Sequence, residues 1–403
     1  MSKQDGGHDG AHDCALGPRH PDTEILHSGR DPAAQHGFVN PSVYRGSTVL
    51  FPTLDALEAY EQQTYRYGRH GTPTTAALEE ALCQLEGGAR CVLTPSGYQA
   101  VTTAILAFVK AGDHILMVDT VYQPTRKFCD AFLARLGIST TYYDPLIGAG
   151  IADLIRENTR LVFTESPGSL TFEVQDIGAI AEAAHARNVV VLMDNTWATG
   201  LYFRPLAHGV DVSINACTKY IVGHADAMLG AITANARTAR AIETSRALLG
   251  GCPGSEETYL GLRGLRTLAV RLARHHTAGL EVAEWLAERP EVARVLHPAL
   301  PSDPGHALWK AQYTGASGLF SIVLKPVPRT AVAAMLDGLQ LFGMGYSWGG
   351  YESLIVPFDP KTCRTATAWA DEGQALRLHI GLDDPRDLIS DLEAGFARLK
   401  SSA

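Results

Sequence analysis

From residue 89 onward the chain repeats one pattern: a short apolar run, a polar turn, then a helical stretch. Cys91–Thr94 runs into Pro95-Ser96-Gly97-Tyr98, and Ile115–Val118 into Asp119-Thr120-Val121-Tyr122. Leu161–Phe163 ends in Thr164-Glu165-Ser166-Pro167, and Val189–Met193 in Asp194-Asn195-Thr196-Trp197. Val210–Ile214 ends in Asn215-Ala216-Cys217-Thr218-Lys219-Tyr220, and Met228–Thr233 reads as a further strand. Runs this short, with apolar residues at consecutive positions, are strands buried on both faces. Their alternation with helices predicts an α/β fold with a mainly parallel sheet flanked by helices. Ligands of such sheets bind beyond the carboxyl ends of the strands, and here five strand ends carry polar groups to that one edge.

Lys219 is the most conspicuous of those groups, one of only eight lysines beside twenty-six arginines. A lysine where a buried strand gives way to a loop is costly unless it has a partner or a task; otherwise it snorkels to solvent. Its companions favour a task. Enzymes that attach pyridoxal 5'-phosphate through a lysine Schiff base need an amine able to lose its proton, which burial promotes. They also need an acid facing the pyridinium nitrogen, a phosphate site at a helix N-terminus and a flat partner for the ring. The chain offers Lys219 as the amine and Asp194 as the acid. Ser96-Gly97-Tyr98 would be the phosphate cup, with Thr218 as a further hydroxyl, and Tyr122 the ring.

The remaining sequence frames this unit. Residues 1–20, rich in Gly, His and Asp, read as a disordered tail; His8, His12, Cys14 and His20 match no closed zinc spacing. Residues 21–65 read as an N-terminal arm with a helix over about 53–63 that Thr53 caps, and 66–255 as the large domain. Residues 256–403 read as one long helix over about 256–288 and a smaller α+β domain with strands Leu319–Leu324 and Ala375–Ile380. Asp384-Pro385 opens its last helix. Arg377 interrupts an apolar strand there. It is either an outward-facing residue of an alternating strand or a clamp for a planar carboxylate. The loop Tyr67-Gly68-Arg69-His70 carries groups suited to an anion. A net charge of −9 without a basic run argues against nucleic acid, and no apolar run is long enough to span a membrane. The start lacks an apolar signal core, and the seven scattered cysteines read as reduced, cytoplasmic residues.

The chain resembles the pyridoxal-phosphate-dependent Cys/Met metabolism family over about residues 25–400, and within it the bacterial cystathionine β-lyase branch. The likeness rests on Tyr67-Gly-Arg69, Leu85-Glu-Gly-Gly88, Asp194-Asn-Thr-Trp-Ala-Thr-Gly200 and Ala216-Cys-Thr-Lys-Tyr-Ile-Val-Gly-His-Ala-Asp226. It continues in Ser347-Trp-Gly-Gly-Tyr-Glu-Ser353 and Arg377-Leu-His-Ile-Gly381. The resemblance implies the fold-type I architecture, with a seven-stranded sheet, and a homotetramer built from close dimers. It implies that Tyr67 and Arg69 reach the phosphate of the neighbouring subunit. Arg377 would hold the substrate α-carboxylate, Ser347 and Trp348 would line the same pocket, and His379 and Asp226 would support the scaffold. Thr164-Glu-Ser-Pro-Gly-Ser-Leu170 lacks the asparagine usual in γ-acting relatives, and Trp197 has the β-lyase form. The implied reaction is α,β-elimination of an L-cysteine thioether, with Lys219 as the base and Tyr122 as the second catalytic residue; cystathionine would give homocysteine, pyruvate and ammonia. Ala216 replaces a serine of many relatives. His70 and Lys127 depart from the cystathionine-cleaving pattern, which keeps other cysteine S-conjugates open. A γ-lyase or γ-synthase and a non-catalytic cofactor-binding regulator are the remaining alternatives.

Overall fold

The computed structural model describes residues 19–402. The tail reading, with His8, His12 and Cys14, lies outside the described residues apart from Arg19 and His20. Seven strands make the large sheet: β1 (Arg90–Thr94), β2 (His114–Val118), β3 (Ser139–Tyr143), β4 (Thr159–Glu165), β5 (Val190–Asp194), β6 (Val212–Asn215) and β7 (Gly230–Ala234). Their order is β1-β7-β6-β5-β4-β2-β3. The pairs from β6 through β5, β4 and β2 to β3 are parallel; β7 lies antiparallel between β1 and β6. The apolar runs are buried as expected, and β2 is buried at every position. β3 was not foreseen. Its Ser-Thr-Thr-Tyr-Tyr sequence has no apolar run because it is an edge strand, paired only with β2 and half-buried.

Helix boundaries follow local chemistry. The helix Pro73–Glu86 starts on a Thr72–Thr75 capping box with proline at its first position, and ends on Gly87 in the left-handed region. The helix Gly97–Leu106 starts where Ser96 Oγ accepts the Gln99 N–H at 3.1 Å. In the arm, Thr53 caps Leu54–Glu58 as foreseen, and a separate 3-10 turn, Tyr60–Gln62, follows. The single helix read over about 256–288 is two helices, Ser255–Leu265 and Leu268–Ala287. The break has a packing cause. A Cβ on Gly264 would lie 2.2 Å from the Ile221 carbonyl oxygen. Arg271 also donates to the carbonyls of Gly264 and Tyr220, each at 2.7 Å. The helical pair therefore bends around the segment that follows Lys219.

The small sheet has five strands: β8 (Val292–Leu296), β9 (Leu319–Leu324), β10 (Phe342–Gly343), β11 (Ser353–Phe358) and β12 (Ala375–His379), in the order β10-β11-β12-β9-β8. Only β9 and β12 were legible. β11 contains Pro357, which argues against a strand, but beyond Leu354 only β12 pairs with it, and proline is tolerated on an open edge. The final helix, Pro385–Ser401, is capped by Asp384 as expected and packs Leu388, Leu392 and Phe396 into the small-domain core. Among the described residues no helix is long and apolar enough to cross a membrane, and no group of three His, Cys, Asp or Glu could hold a metal ion.

Candidate active site

Lys219 stands on a tight turn after β6, with its N–H on the Ala216 carbonyl at 2.9 Å. Its half-buried chain crosses to the small domain, where Nζ donates to Ser347 Oγ at 2.6 Å and lies 5.1 Å from the centre of the Trp348 ring. Burial, and then the positive charge of Arg377, pull the amine down to about 8, while Asp194 opposes them. The small-domain loop touches the lysine's own backbone. Gly349 has φ +86°, and a Cβ there would lie 2.8 Å from the Lys219 carbonyl carbon.

Asp194 ends β5, the strand beside β6. Its Oδ1 accepts the Thr196 N–H at 3.0 Å and the Thr196 hydroxyl at 2.5 Å, and the Thr196 oxygen accepts the Ala216 N–H at 2.9 Å. Thr196 thus joins the acid to the lysine turn. Sequence reasoning did not single it out, although a hydroxyl two residues after an acid is a known turn-forming pattern. Burial raises Asp194, whereas the Thr196 bonds and Lys219 favour its charged form. Glu165, at the end of β4, was also passed over. It pairs in register with Asp194, and its Oε2 accepts the Tyr122 N–H at 2.7 Å. Burial and the Asp194 charge push it well above the carboxylate range. Burial thus raises both neighbouring acids, and the Asp194 charge raises Glu165 further. Tyr122, whose N–H Glu165 holds, is 46% exposed.

The first-turn N–H groups of Gly97 and Tyr98 have no intrahelical acceptor and form an anion site at a helix N-terminus. A Cβ on Gly97 would lie 2.3 Å from the Ala216 Cβ, so only glycine lets the lysine turn close the cup. Two hydroxyls of the expected cup are engaged elsewhere. Ser96 caps its helix, and the Thr218 hydroxyl accepts the Leu229 N–H at 2.9 Å and donates to the Leu229 carbonyl at 3.2 Å.

Arg377 is 8% exposed, which removes the outward-facing reading. Its Nη2 donates to the Ser347 carbonyl at 3.0 Å, and its buried Nε has no partner among the described residues. A buried guanidinium donor left without a protein acceptor is chemically suited to a carboxylate. Ser347 is held at φ +77°, a strained backbone for a serine. Trp348 packs on Tyr220 at 5.3 Å. His379 holds the scaffold: Nε2 accepts the Gly349 N–H at 3.1 Å and Nδ1 faces the Glu352 carbonyl at 3.0 Å. Asp226 is exposed.

The structure does not bring Tyr67 and Arg69 to this cluster within one chain. Arg69 donates to the Ala247 carbonyl at 3.0 Å, and Tyr67 is 42% exposed beside His70. Lys127 is exposed at the end of the short helix Gln123–Lys127.

The residues present fit pyridoxal 5'-phosphate. Free first-turn N–H groups suit its phosphate, an acid at a neighbouring strand end suits its ring nitrogen, and a half-buried amine of lowered pKa suits its aldehyde. Known proteins agree. A putative cystathionine β-lyase of Rhizobium johnstonii is 53% identical over 93% of this chain and 95% of its own length. The cystathionine β-lyase of Escherichia coli is 47% identical over 94% and 98%. The crystal structure of cystathionine γ-lyase from Lactobacillus plantarum, complexed with L-serine, superposes with a TM-score of 0.86 at 28% identity, covering 94% of this chain and 99% of that one. The model of the Cys/Met metabolism PLP-dependent enzymes matches residues 22–397, and the chain belongs to that family.

Proposed function

We propose that the chain is a carbon–sulfur β-lyase that converts L-cystathionine and water to homocysteine, pyruvate and ammonia. The observation that carries this reading is the Lys219–Ser347–Arg377 arrangement. It sets an amine of pKa about 8 beside a buried guanidinium with a spare donor. Pyridoxal phosphate, when bound, supplies the electron sink that acidifies the substrate Cα–H. The chain does the rest. Arg377 takes the α-carboxylate and fixes the Cα–H towards Lys219. Lys219 Nζ removes that proton as general base, with a pKa near working pH. Asp194, oriented by Thr196, would be the acid for the ring nitrogen. Tyr122 would supply the flat partner for the ring, and Glu165 holds the Tyr122 backbone. The names of the relatives supply the thioether; the geometry alone supports any L-cysteine S-conjugate.

Tyr67 and Arg69 make their contacts with His70 and the Ala247 carbonyl, not with Lys219 of the same chain. We read them as phosphate ligands of a neighbouring subunit in a homotetramer of close dimers. The arm around them exposes Phe38, Val39, Leu50 and Leu54, apolar surface of the kind an interface covers. The six described cysteines are unpaired, in keeping with a reducing cytoplasm. The test is a product assay on cystathionine, cystine, S-methylcysteine and methionine. Pyruvate from cystathionine is expected; 2-oxobutyrate alone would move the enzyme to the γ-cleaving branch.

A further inference from the structure

Asp119 lies just past β2 and is fully buried. Its carboxylate accepts six hydrogen bonds. Oδ1 takes Arg126 Nη2 at 2.7 Å, the Thr365 N–H at 2.9 Å and the Thr365 hydroxyl at 3.4 Å. Oδ2 takes the Ala366 N–H at 3.0 Å and both the N–H and the hydroxyl of Thr367 at 2.8 Å. Five of the six donors belong to the loop that joins β11 to β12, the strand of Arg377. The sixth, Arg126, closes a clasp around Tyr122. Its N–H reaches the Tyr122 carbonyl at 3.2 Å, while its guanidinium returns to Asp119 and lies 3.5 Å from the centre of the Tyr142 ring.

Further contacts hold the loop: Arg126 Nη1 donates to the Thr365 hydroxyl at 3.1 Å, Arg294 pairs with Asp371 at 3.0 Å, and the Arg294 guanidinium lies 5.0 Å from the centre of the Trp369 ring. Between Asp359 and Gln374 its regular structure is one turn, Pro360–Thr362, and its sequence is hydroxyl-rich. Arg364 adds a second tie to the large domain, through Thr171 at 2.6 Å and through Glu173. The N–H groups of Thr365, Ala366 and Thr367 would lose their acceptor if Asp119 lost its charge or shape. Burial opposes the charged form of Asp119, but these bonds outweigh it and hold the acid below its usual range.

We propose that Asp119 is a positioning residue for the substrate: a latch between the domains that sets the Arg377 strand at a fixed distance from Tyr122. It touches neither substrate nor cofactor. The proposal rests on the lyase reading for its substrate but not for its test. L-alanine carries the same carboxylate and has no leaving group. Its binding, read from the cofactor absorbance, reports the latch whatever thioether the enzyme cleaves.

Asp119→Asn in the cofactor-loaded enzyme should weaken L-alanine binding and raise the cystathionine KM by about tenfold, as loss of charged hydrogen bonds does. kcat should stay within about threefold and cofactor content should not change. Trypsin should cut sooner at Lys361 or Arg364. Thr367→Val keeps the carboxylate and removes one hydroxyl; it should show the same pattern at about threefold, and Thr367→Ser should restore the wild-type values. If Asp119→Asn does not fold, the Thr367 pair decides. A lowered melting temperature with unchanged alanine affinity and KM would make Asp119 a structural residue only and overturn the proposal. Loss of cofactor with unchanged alanine affinity in the loaded fraction would overturn it as well. If the wild type binds alanine but yields no pyruvate, the lyase reading fails and the latch stands.

Discussion

The two halves of the site are built differently. In the large sheet, Lys219, Asp194 and Tyr122 stand at or just past the ends of parallel strands, where the backbone ladder is complete and side chains project onto a common edge. In the small sheet, Arg377 sits inside an antiparallel strand, paired with Val356 on one side and Ser321 on the other. A group on a turn is held by a few bonds and can swing. A group inside a central strand moves only with its sheet. On the proposed reading, the amine that changes partners is on a turn, and the anchor that stays put is in a ladder.

Lys219→Ala should break the first half outright. Turnover should fall by about 10³-fold or more, since one group serves both as covalent attachment and as base, and the absorbance of the lysine-linked cofactor should vanish. Arg377→Lys should break only the second half. A point charge replaces a planar fork, so KM for cystathionine should rise about 10²-fold while cofactor content holds. Loss of cofactor in that variant would show that the halves are not separable.

The pH dependence sharpens the comparison. Only the neutral amine captures added pyridoxal phosphate. Capture by unloaded protein should therefore quicken about tenfold per pH unit and level off near the Lys219 pKa of about 8. Arg377 is the second cause of that lowered value, after burial. Arg377→Met should therefore move the break upward, and an unmoved break would mean that the halves do not communicate by charge. Ser347→Ala, which removes the hydrogen bond bridging the halves, should have the smallest effect, about three- to tenfold on kcat.

The first half was legible in the sequence, because each buried strand announces itself by an apolar run and each functional group follows one. Arg377 was ambiguous. Strand alternation gives an arginine there two equal meanings, and only burial separates them. Glu165 and Thr196 stood in plain view at strand ends, but their roles depend on register between neighbouring strands, which the sequence does not display. Asp119 looked like one more polar strand end; five of its six donors lie far along the chain, in the loop before β12. The residues of the Tyr67–His70 loop suggested an anion, but only the resemblance gave Tyr67 and Arg69 a place at a neighbouring subunit's site, since within one chain Arg69 bonds the Ala247 carbonyl instead.

Gly349 fixes a tolerance as well as a fold. Its backbone rests against that of Lys219, in a conformation few other residues adopt. No side chain fits between the domains at this point. A library of active-site variants can therefore enlarge the pocket through Ser347, Trp348 or Tyr122, but not through position 349. Substitution there would wedge the domains apart and move the anchor away from the amine. Diversity belongs at the pocket's walls and not at its seam.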